Sequence, residues 1–230
     1  MSCSSEIIST SNQVQYSGYL ILNKGQKMKE LLKTLSVQRW DDHRYYHHSR
    51  INQSLHFVSA MSFLASYVLL FINPVAASFV AWLVAMTTRQ SGHFFFEPKG
   101  YDHVNQATHE HKEEIKVGYN LNRKIVLLSI WALIPVVAYF APQYVTWMVP
   151  EAYEDTFLRL VGMAWLMLGV VGVLFRVGQL CIIDSGQAAF AWAVKIITDP
   201  FHDIKLYYRS PLHLLRGELI DPMPHIHHSK

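Results

Sequence analysis

The sequence contains little charge and little cysteine. Only 16% of its 230 residues are charged, against roughly 25% in an average soluble domain. Its two cysteines, Cys3 and Cys181, provide neither a disulfide framework nor a zinc-binding spacing. The net charge of +3 is too small to favour nucleic acid as a partner, and the first residues hold no apolar core long enough for a signal peptide. These shortages argue against a nucleic-acid-binding protein and against a disulfide-stabilised domain.

Apolar residues are abundant, at 51% of the chain, and they occur in long runs. A helix needs about 20 mostly apolar residues to cross a bilayer. Four runs contain at most one formal charge: 55–72, 75–88, 125–141 and 157–175. The first two are near the spanning length if their histidine-containing ends are included. The sequence therefore predicts an all-α, polytopic membrane helical bundle with about four spanning helices.

The basic residues predict how such a bundle is oriented and divided. Lysine and arginine are frequent before the first run, between residues 89 and 124, and in the C-terminal tail, but residues 143–156 contain none. The positive-inside rule then places both termini on the cytoplasmic side, in the endoplasmic reticulum of a eukaryote or the inner membrane of a bacterium. We expect three regions: residues 1–40 as a tail and amphipathic helix, 41–198 as the membrane domain, and 199–230 as a cytoplasmic tail. Residues 188–197 are predicted to be a short interfacial helix.

Thirteen histidines are the main anomaly of the composition, and several of them flank one predicted hairpin. The stretch 47–56 opens the first apolar run, and the sequence Gly-His-Phe-Phe-Phe-Glu at 92–97 follows the second. The two runs are joined by Asn73-Pro74, which predicts a tight turn and antiparallel helices. His56 precedes this turn by nearly as many residues as His93 follows it, so we expect both at one membrane face.

His48, Asn52 and His56 recur every four residues and form one stripe if the helix begins near His48. His48 and His56 would then be about 12 Å apart along the axis, too far to share one metal easily. Two alternatives remain open: either the helix begins later and His48 hangs over the site, or there are two metals. Asn52 is placed to bond the second nitrogen of a ligand or the substrate.

His93 and Glu97 are also four residues apart, which suits two ligands, or a ligand and its orienting partner. In the following polar segment His111 is favoured as a ligand, with His109 as the alternative. Imidazoles combined with carboxylates favour Fe(II), Mn or Zn over a thiolate site. The candidate metal ligands are His47, His48, His56, His93, His109 and His111, and the candidate catalytic residues are Asn52 and Glu97. The histidines at 225, 227 and 228 are a weaker metal-binding signal.

The combined pattern His-His-x-x-x-Asn-x-x-x-His, a membrane hairpin, and Gly-His-x-x-Phe-Glu resembles the iron-dependent 2-hydroxy fatty acid dioxygenases of membrane α-oxidation. The resemblance covers about residues 40–100, and the residues after Glu97 depart from the basic run found in that family. It implies Fe(II), O2 as co-substrate, and a 2-hydroxy acyl substrate that leaves one carbon shorter. Arg50 or Lys99 would then neutralise the substrate carboxylate. The matching positions are His47, His48, Asn52, His56, Gly92, His93, Phe96 and Glu97.

Two other functions fit parts of the sequence. His43-x-x-x-His47-His48 has the form of a histidine box in di-iron membrane lipid hydroxylases and desaturases. A membrane metal-binding protein without enzymatic activity is the third interpretation. The expected partners are the bilayer and a fatty acyl lipid, and the sequence does not determine the oligomeric state.

Overall fold

A computed structural model describes residues 25–26, 28–97, 99–103, 105–117 and 121–223 of the chain. Regular structure in these residues is helical, and β pairing among them is limited to isolated bridges between Ser49 and Ile220 and between Asp102 and Ala107. The predicted all-α class is therefore confirmed.

The described residues form nine helices, α1 to α9, and one short 3-10 turn, Glu151–Tyr153. Helix α3 is a continuous helical run at 74–96 in which α segments, Pro74–Phe79 and Thr87–Ser91, alternate with π segments, Val80–Met86 and Gly92–Phe96. The other helices are α1 at 28–46, α2 Arg50–Leu69, α4 His109–Glu114, α5 Leu121–Phe140, α6 Gln143–Thr146, α7 Phe157–Ile183, α8 Gly186–Tyr207 and α9 Ser210–Leu215.

Helices α2 and α3 form the hairpin that the sequence predicts. Leu69 ends α2, and the side chain of Asn73 caps α3 by accepting a hydrogen bond of 3.1 Å from the Ala76 amide. Pro74 occupies the first turn of α3, where its missing N–H leaves no unpaired donor. The two helices then contact each other from the turn to the Gly92–Phe96 segment.

Two helices are long and apolar enough to cross a membrane. The windows Asn122–Phe140 and Phe157–Ile183 have mean hydropathies of 1.7 and 2.2, and only 11% and 17% of their most apolar stretches are buried in the protein. This supports membrane association, whereas four spans are not confirmed, and the cytoplasmic orientation stays a prediction. Helix α2 of the hairpin is less apolar on average, because it carries many polar residues, among them Asn52, Gln53 and His56.

The apolar core joins α3, α5 and α7. The Trp82 indole N–H donates to the Trp165 carbonyl at 2.8 Å, and the Trp165 indole N–H donates to the Trp131 carbonyl at 2.9 Å. Gly162 allows α3 to approach α7 closely, since a Cβ there would lie 2.7 Å from the Val75 Cγ1 atom. These contacts hold the hairpin against the two most apolar helices.

The C-terminal region differs from the expected short helix and tail. Residues 188–197 are part of α8, a helix of 22 residues that packs against α2 and α7 and buries Trp192. The next residues return to α2, where the Arg50 amide donates to the Leu219 carbonyl at 2.9 Å and the Asp221 amide to the His48 carbonyl at 2.8 Å. The expected boundary after residue 198 falls inside α8, because this helix continues to Tyr207 on the polar face of α2.

Candidate metal centre

Three histidines from separate parts of the chain meet in the protein interior. His47 follows α1, His56 lies on α2, and His93 lies on the last segment of α3. One ligand nitrogen from each lies within 4.8 Å of the other two, and the Nε2 atoms of His47 and His56 are 3.2 Å apart. His56 and His47 are 0% and 1% exposed. Among the described residues, this is the group of histidines and carboxylates whose spacing suits a metal ion.

The start of α2 decides which histidine reaches the cluster. Ser49 is extended and caps α2, whose first residue is Arg50, so neither His47 nor His48 belongs to the helix. The helix therefore begins late, which is one of the two alternatives left open by the stripe. His47 rather than His48 faces His56. The His48 ring instead bonds the Arg44 carbonyl and lies 3.6 Å from Asp102.

Glu97 orients His93 through a hydrogen bond. The His93 Nδ1–H donates to the Glu97 Oε2 atom at 2.7 Å, which leaves Nε2 as the ligand nitrogen. Glu97 is buried, and burial raises the pKa of its carboxyl group, while Lys116 at 3.5 Å opposes that rise. A carboxylate at this nitrogen makes the imidazole a stronger metal ligand.

Asn52 lies beside the cluster with one end of its amide occupied. Its Nδ2 atom donates to the Tyr46 carbonyl at 2.8 Å, but its Oδ1 atom has no hydrogen-bond partner in the described structure. Gly92 makes room for this oxygen, because a Cβ there would lie 2.1 Å from Asn52 Oδ1 and 3.4 Å from the His56 ring. The glycine of the Gly-His motif is therefore required by close packing at the site.

The protonation of the cluster suits a metal. Burial lowers the pKa of His47 well below its usual value, and His56 lowers it further, so the imidazole stays neutral. The Nδ1 atoms of His47 and His56 have no hydrogen-bond partner within the described part of the chain, although the His56 atom lies 3.7 Å from Asp203. Two nitrogens on one metal, each about 2.1 Å from it, lie roughly 3 to 3.4 Å apart, and the His47–His56 pair has this spacing. The residues present fit a divalent metal held by imidazoles.

Several predicted site residues lie elsewhere. His109 is half-buried in a small pocket beside Glu97 and Glu113, and His111 is exposed. Neither belongs to the three-histidine cluster, and their ligand roles stay predictions. Arg50 is engaged by Asp221 at 3.0 Å, and Lys99 is exposed at the small pocket. The histidines at 225, 227 and 228 lie outside the described residues.

Helix α8 supplies site residues that the sequence interpretation missed. Lys195, Asp199, Asp203 and Tyr207 are each four residues apart, so they lie on one helical face, and all are buried. This spacing was the signal available in the sequence. The predicted helix at 188–197 contains only Lys195 of these four residues, so it does not reveal the shared face.

The α8 stripe surrounds the histidines with paired charges and a phenol. The Tyr207 hydroxyl and His43 Nδ1 share a hydrogen bond of 2.9 Å, and the Tyr207 ring lies 5.6 Å from the His47 ring. Asp203 accepts a hydrogen bond of 2.8 Å from Arg89. Because buried ions are stable only when paired, this network holds α3 and α8 in a defined relation to the cluster.

A cavity of about 550 Å³ adjoins the cluster, and His93 is part of its wall. Its lining is mostly apolar and comes from several helices, including α3, α5, α7 and α8. A volume of this size is typical of small-molecule sites. The site therefore consists of three histidines beside a mostly apolar cavity.

Comparisons with family models, with curated proteins and with solved structures found no match to this chain. The functional argument therefore depends on the geometry of the site.

Proposed function

We propose that the protein is an Fe(II)-dependent dioxygenase that shortens 2-hydroxy fatty acids by one carbon. The observation that carries this proposal is the buried His47–His56–His93 cluster, of which His93 lines a large, mostly apolar cavity. Imidazole ligands suit iron, and the cavity suits an acyl chain. The two apolar helices support a membrane location, from which such a lipid would enter.

The proposed reaction balances without a further reductant. A 2-hydroxy acid and one O2 molecule give the acid shorter by one carbon, one CO2 and one water. O2 accepts four electrons: C2 gives three as it is oxidised from an alcohol carbon to a carboxyl carbon, with loss of its C–H bond, and C1 gives one as it leaves as CO2. No electron-transfer partner is therefore required. When bound, the iron would supply coordination positions for O2 and for the substrate oxygens.

The residues of the chain hold and orient the reactants. Glu97 keeps the His93 Nε2 atom directed at the cluster by accepting the Nδ1–H hydrogen bond. The Asn52 Oδ1 atom is available to accept a hydrogen bond from the substrate hydroxyl or from a ligand nitrogen. The apolar cavity wall excludes water from the acyl chain.

The proposal is tested by metal analysis and oxygen uptake on the purified full-length protein. We expect one iron per chain and O2 consumption with 2-hydroxyhexadecanoic acid but not with hexadecanoic acid. The shortened acid should form in proportion to the O2 consumed. Equal rates with both acids, or no uptake with either, would overturn the dioxygenase assignment.

The same measurements separate the two rival functions. Two irons per chain with a bridged di-iron spectrum would favour a hydroxylase or desaturase, whereas bound metal without O2 uptake would favour a metal-binding protein. The described residues contain one group of histidines spaced for a metal ion, which supports a mononuclear site over a di-iron site.

A further inference from the structure

The wall of the large cavity changes from apolar to polar along α3. Trp82 and Met86 line it nearer the turn, and Arg89, Gln90 and His93 line it farther along the same helix. At 1.5 Å per residue, this change spans about 16 Å between Trp82 and His93. The cavity therefore has an apolar part and a polar part, and the polar part lies at the histidine cluster.

The residues of α5 that line the cavity also change from polar to apolar along the helix. Lys124 lines the cavity in the first turns of α5, and Leu127 and Leu128 line it one turn later. Lys124 also lines the small pocket that contains His93 and Glu97, so this residue lies where the polar part of the large cavity meets that pocket.

Four cations line the large cavity, and three of them are paired by carboxylates. Arg89 lies 2.8 Å from Asp203. Lys195 lies 2.5 Å from Asp199 and 3.2 Å from Asp42.

Lys116 is held in the same way, 3.0 Å from Glu113 and 3.5 Å from Glu97, and it lies over the Tyr46 ring. Lys124 differs from these three. It has no hydrogen bond or salt bridge to any residue in the described part of the chain, and the carboxylates that attract it, led by Glu97, lie beyond salt-bridge distance. An ammonium group on a mostly apolar cavity wall gains substantially from an anionic partner.

We propose that Lys124 binds the carboxylate of the acyl substrate. This inference rests on the proposed function for the identity of the substrate, but not for the preference for an acid. With the carboxylate at Lys124, the adjacent carbon atoms lie at the His93 wall and the alkyl chain lies among the apolar residues of α3, α5 and α7. Lys116 offsets part of the negative charge of Glu97 and Glu113, which would otherwise repel the incoming acid more strongly.

The assignment replaces the two cations that the sequence suggested for this role. Arg50 is already paired with Asp221, and neither Arg50 nor Lys99 lines the large cavity. Lys124 lies farther along the chain, outside the two histidine motifs, and only the packing of α5 brings it to their site.

The test measures ligand binding to the full-length protein by displacement of a fluorescent fatty acid. The ligands are hexadecanoic acid and hexadecan-1-ol, which have the same chain and differ in charge. Wild-type protein should bind the acid more tightly than the alcohol. Lys124→Met should weaken acid binding about tenfold to hundredfold, because a charge-assisted hydrogen bond is lost, with little change for the alcohol.

Two variants control for a general structural effect. Lys124→Arg keeps the positive charge and should retain most of the acid preference. Lys33→Met removes an exposed cation of α1 that lines neither pocket, and it should change neither affinity. Equal acid binding by wild type and Lys124→Met would overturn the inference, as would equal weakening of acid and alcohol binding. A preserved acid preference without O2 consumption would overturn the proposed function and leave Lys124 as a carboxylate site.

Discussion

Helix α2 of the hairpin and helix α7 of the apolar pair bury largely different kinds of side chain. Helix α7 buries residues such as Leu160, Val161 and Trp165, whereas α2 buries Asn52 and His56 together with Gln53, Ser59 and Ser66. The outer side of α2 is nevertheless apolar, with Val58, Met61 and Val68 exposed. Helix α2 is therefore polar inside and apolar outside, the reverse of a helix in a soluble protein.

This difference explains why a measure of average hydropathy separates the two regions. The residues of the metal site lower the hydropathy of α2, although its outward face is as apolar as that of a membrane helix. Ionisable groups that face the interior of a membrane bundle generally mark a functional site. The hairpin carries two of the three histidines of the candidate metal centre, and α5 with α7 provides the most apolar surface.

The largest expected effect is loss of the metal from the hairpin. His56→Ala should weaken metal binding by at least about a hundredfold, because it removes a buried ligand and leaves two imidazoles. His111→Ala, which changes an exposed histidine outside the cluster, should leave the metal content unchanged. The measurement is metal per chain after dialysis. Equal metal content in the two variants would contradict the assigned centre.

The second prediction concerns the outer surface of α7. Val171 is exposed near the middle of this helix, and Val171→Arg should cost about 3 kcal/mol of membrane insertion if bilayer surrounds it. A surface change in water usually costs less than about 0.5 kcal/mol. Fractionation of membranes should show less inserted protein for this variant than for Leu215→Arg on α9. Equal insertion of the two variants would contradict a bilayer location for α7.

The third prediction compares glycines in the two regions. Gly92→Ala should destabilise the protein by about 1–3 kcal/mol, because its Cβ would overlap the Asn52 side chain. Gly169→Ala on α7 meets only the Trp82 ring at 4.0 Å and should be neutral or stabilising, since alanine favours helix. Thermal unfolding in detergent measures both. A higher melting temperature for Gly92→Ala would refute the close packing.

The smallest of the four effects is expected at Glu97. Glu97→Gln keeps an acceptor for the His93 N–H but removes the negative charge, so metal affinity should fall about tenfold to hundredfold. Competition with a chelator measures this affinity. Glu114→Gln, on an exposed residue of α4, serves as the control. An unchanged affinity in Glu97→Gln would mean that the carboxylate does not support the ligand.

Local signals were sufficient for the hairpin. Asn73 and Pro74 specify a helix cap and a first turn, and the residue counts on either side bring His56 and His93 together with ring centroids 4.8 Å apart. Predictions that depended on the exact start or end of a helix were less successful. His48 does not share a helical face with Asn52 and His56, because Ser49 caps α2 and the helix begins at Arg50. The polar stripe of α8 is not predicted, because the helix continues past Pro200 to Tyr207.

The sequence by itself determined the helical class, the hairpin and the pairing of His56 with His93, since periodicity and turn chemistry depend on neighbouring residues. Only the tertiary structure decided that His47 rather than His48 completes the cluster. It also decided that Tyr207 and Asp203 border the cluster and that Lys124 lies on its cavity wall. These positions depend on where α2 begins and on how α5 and α8 pack against the hairpin. Contacts between helices that are distant in the chain depend on burial and charge pairing. A pattern of neighbouring residues does not predict which helices make these contacts.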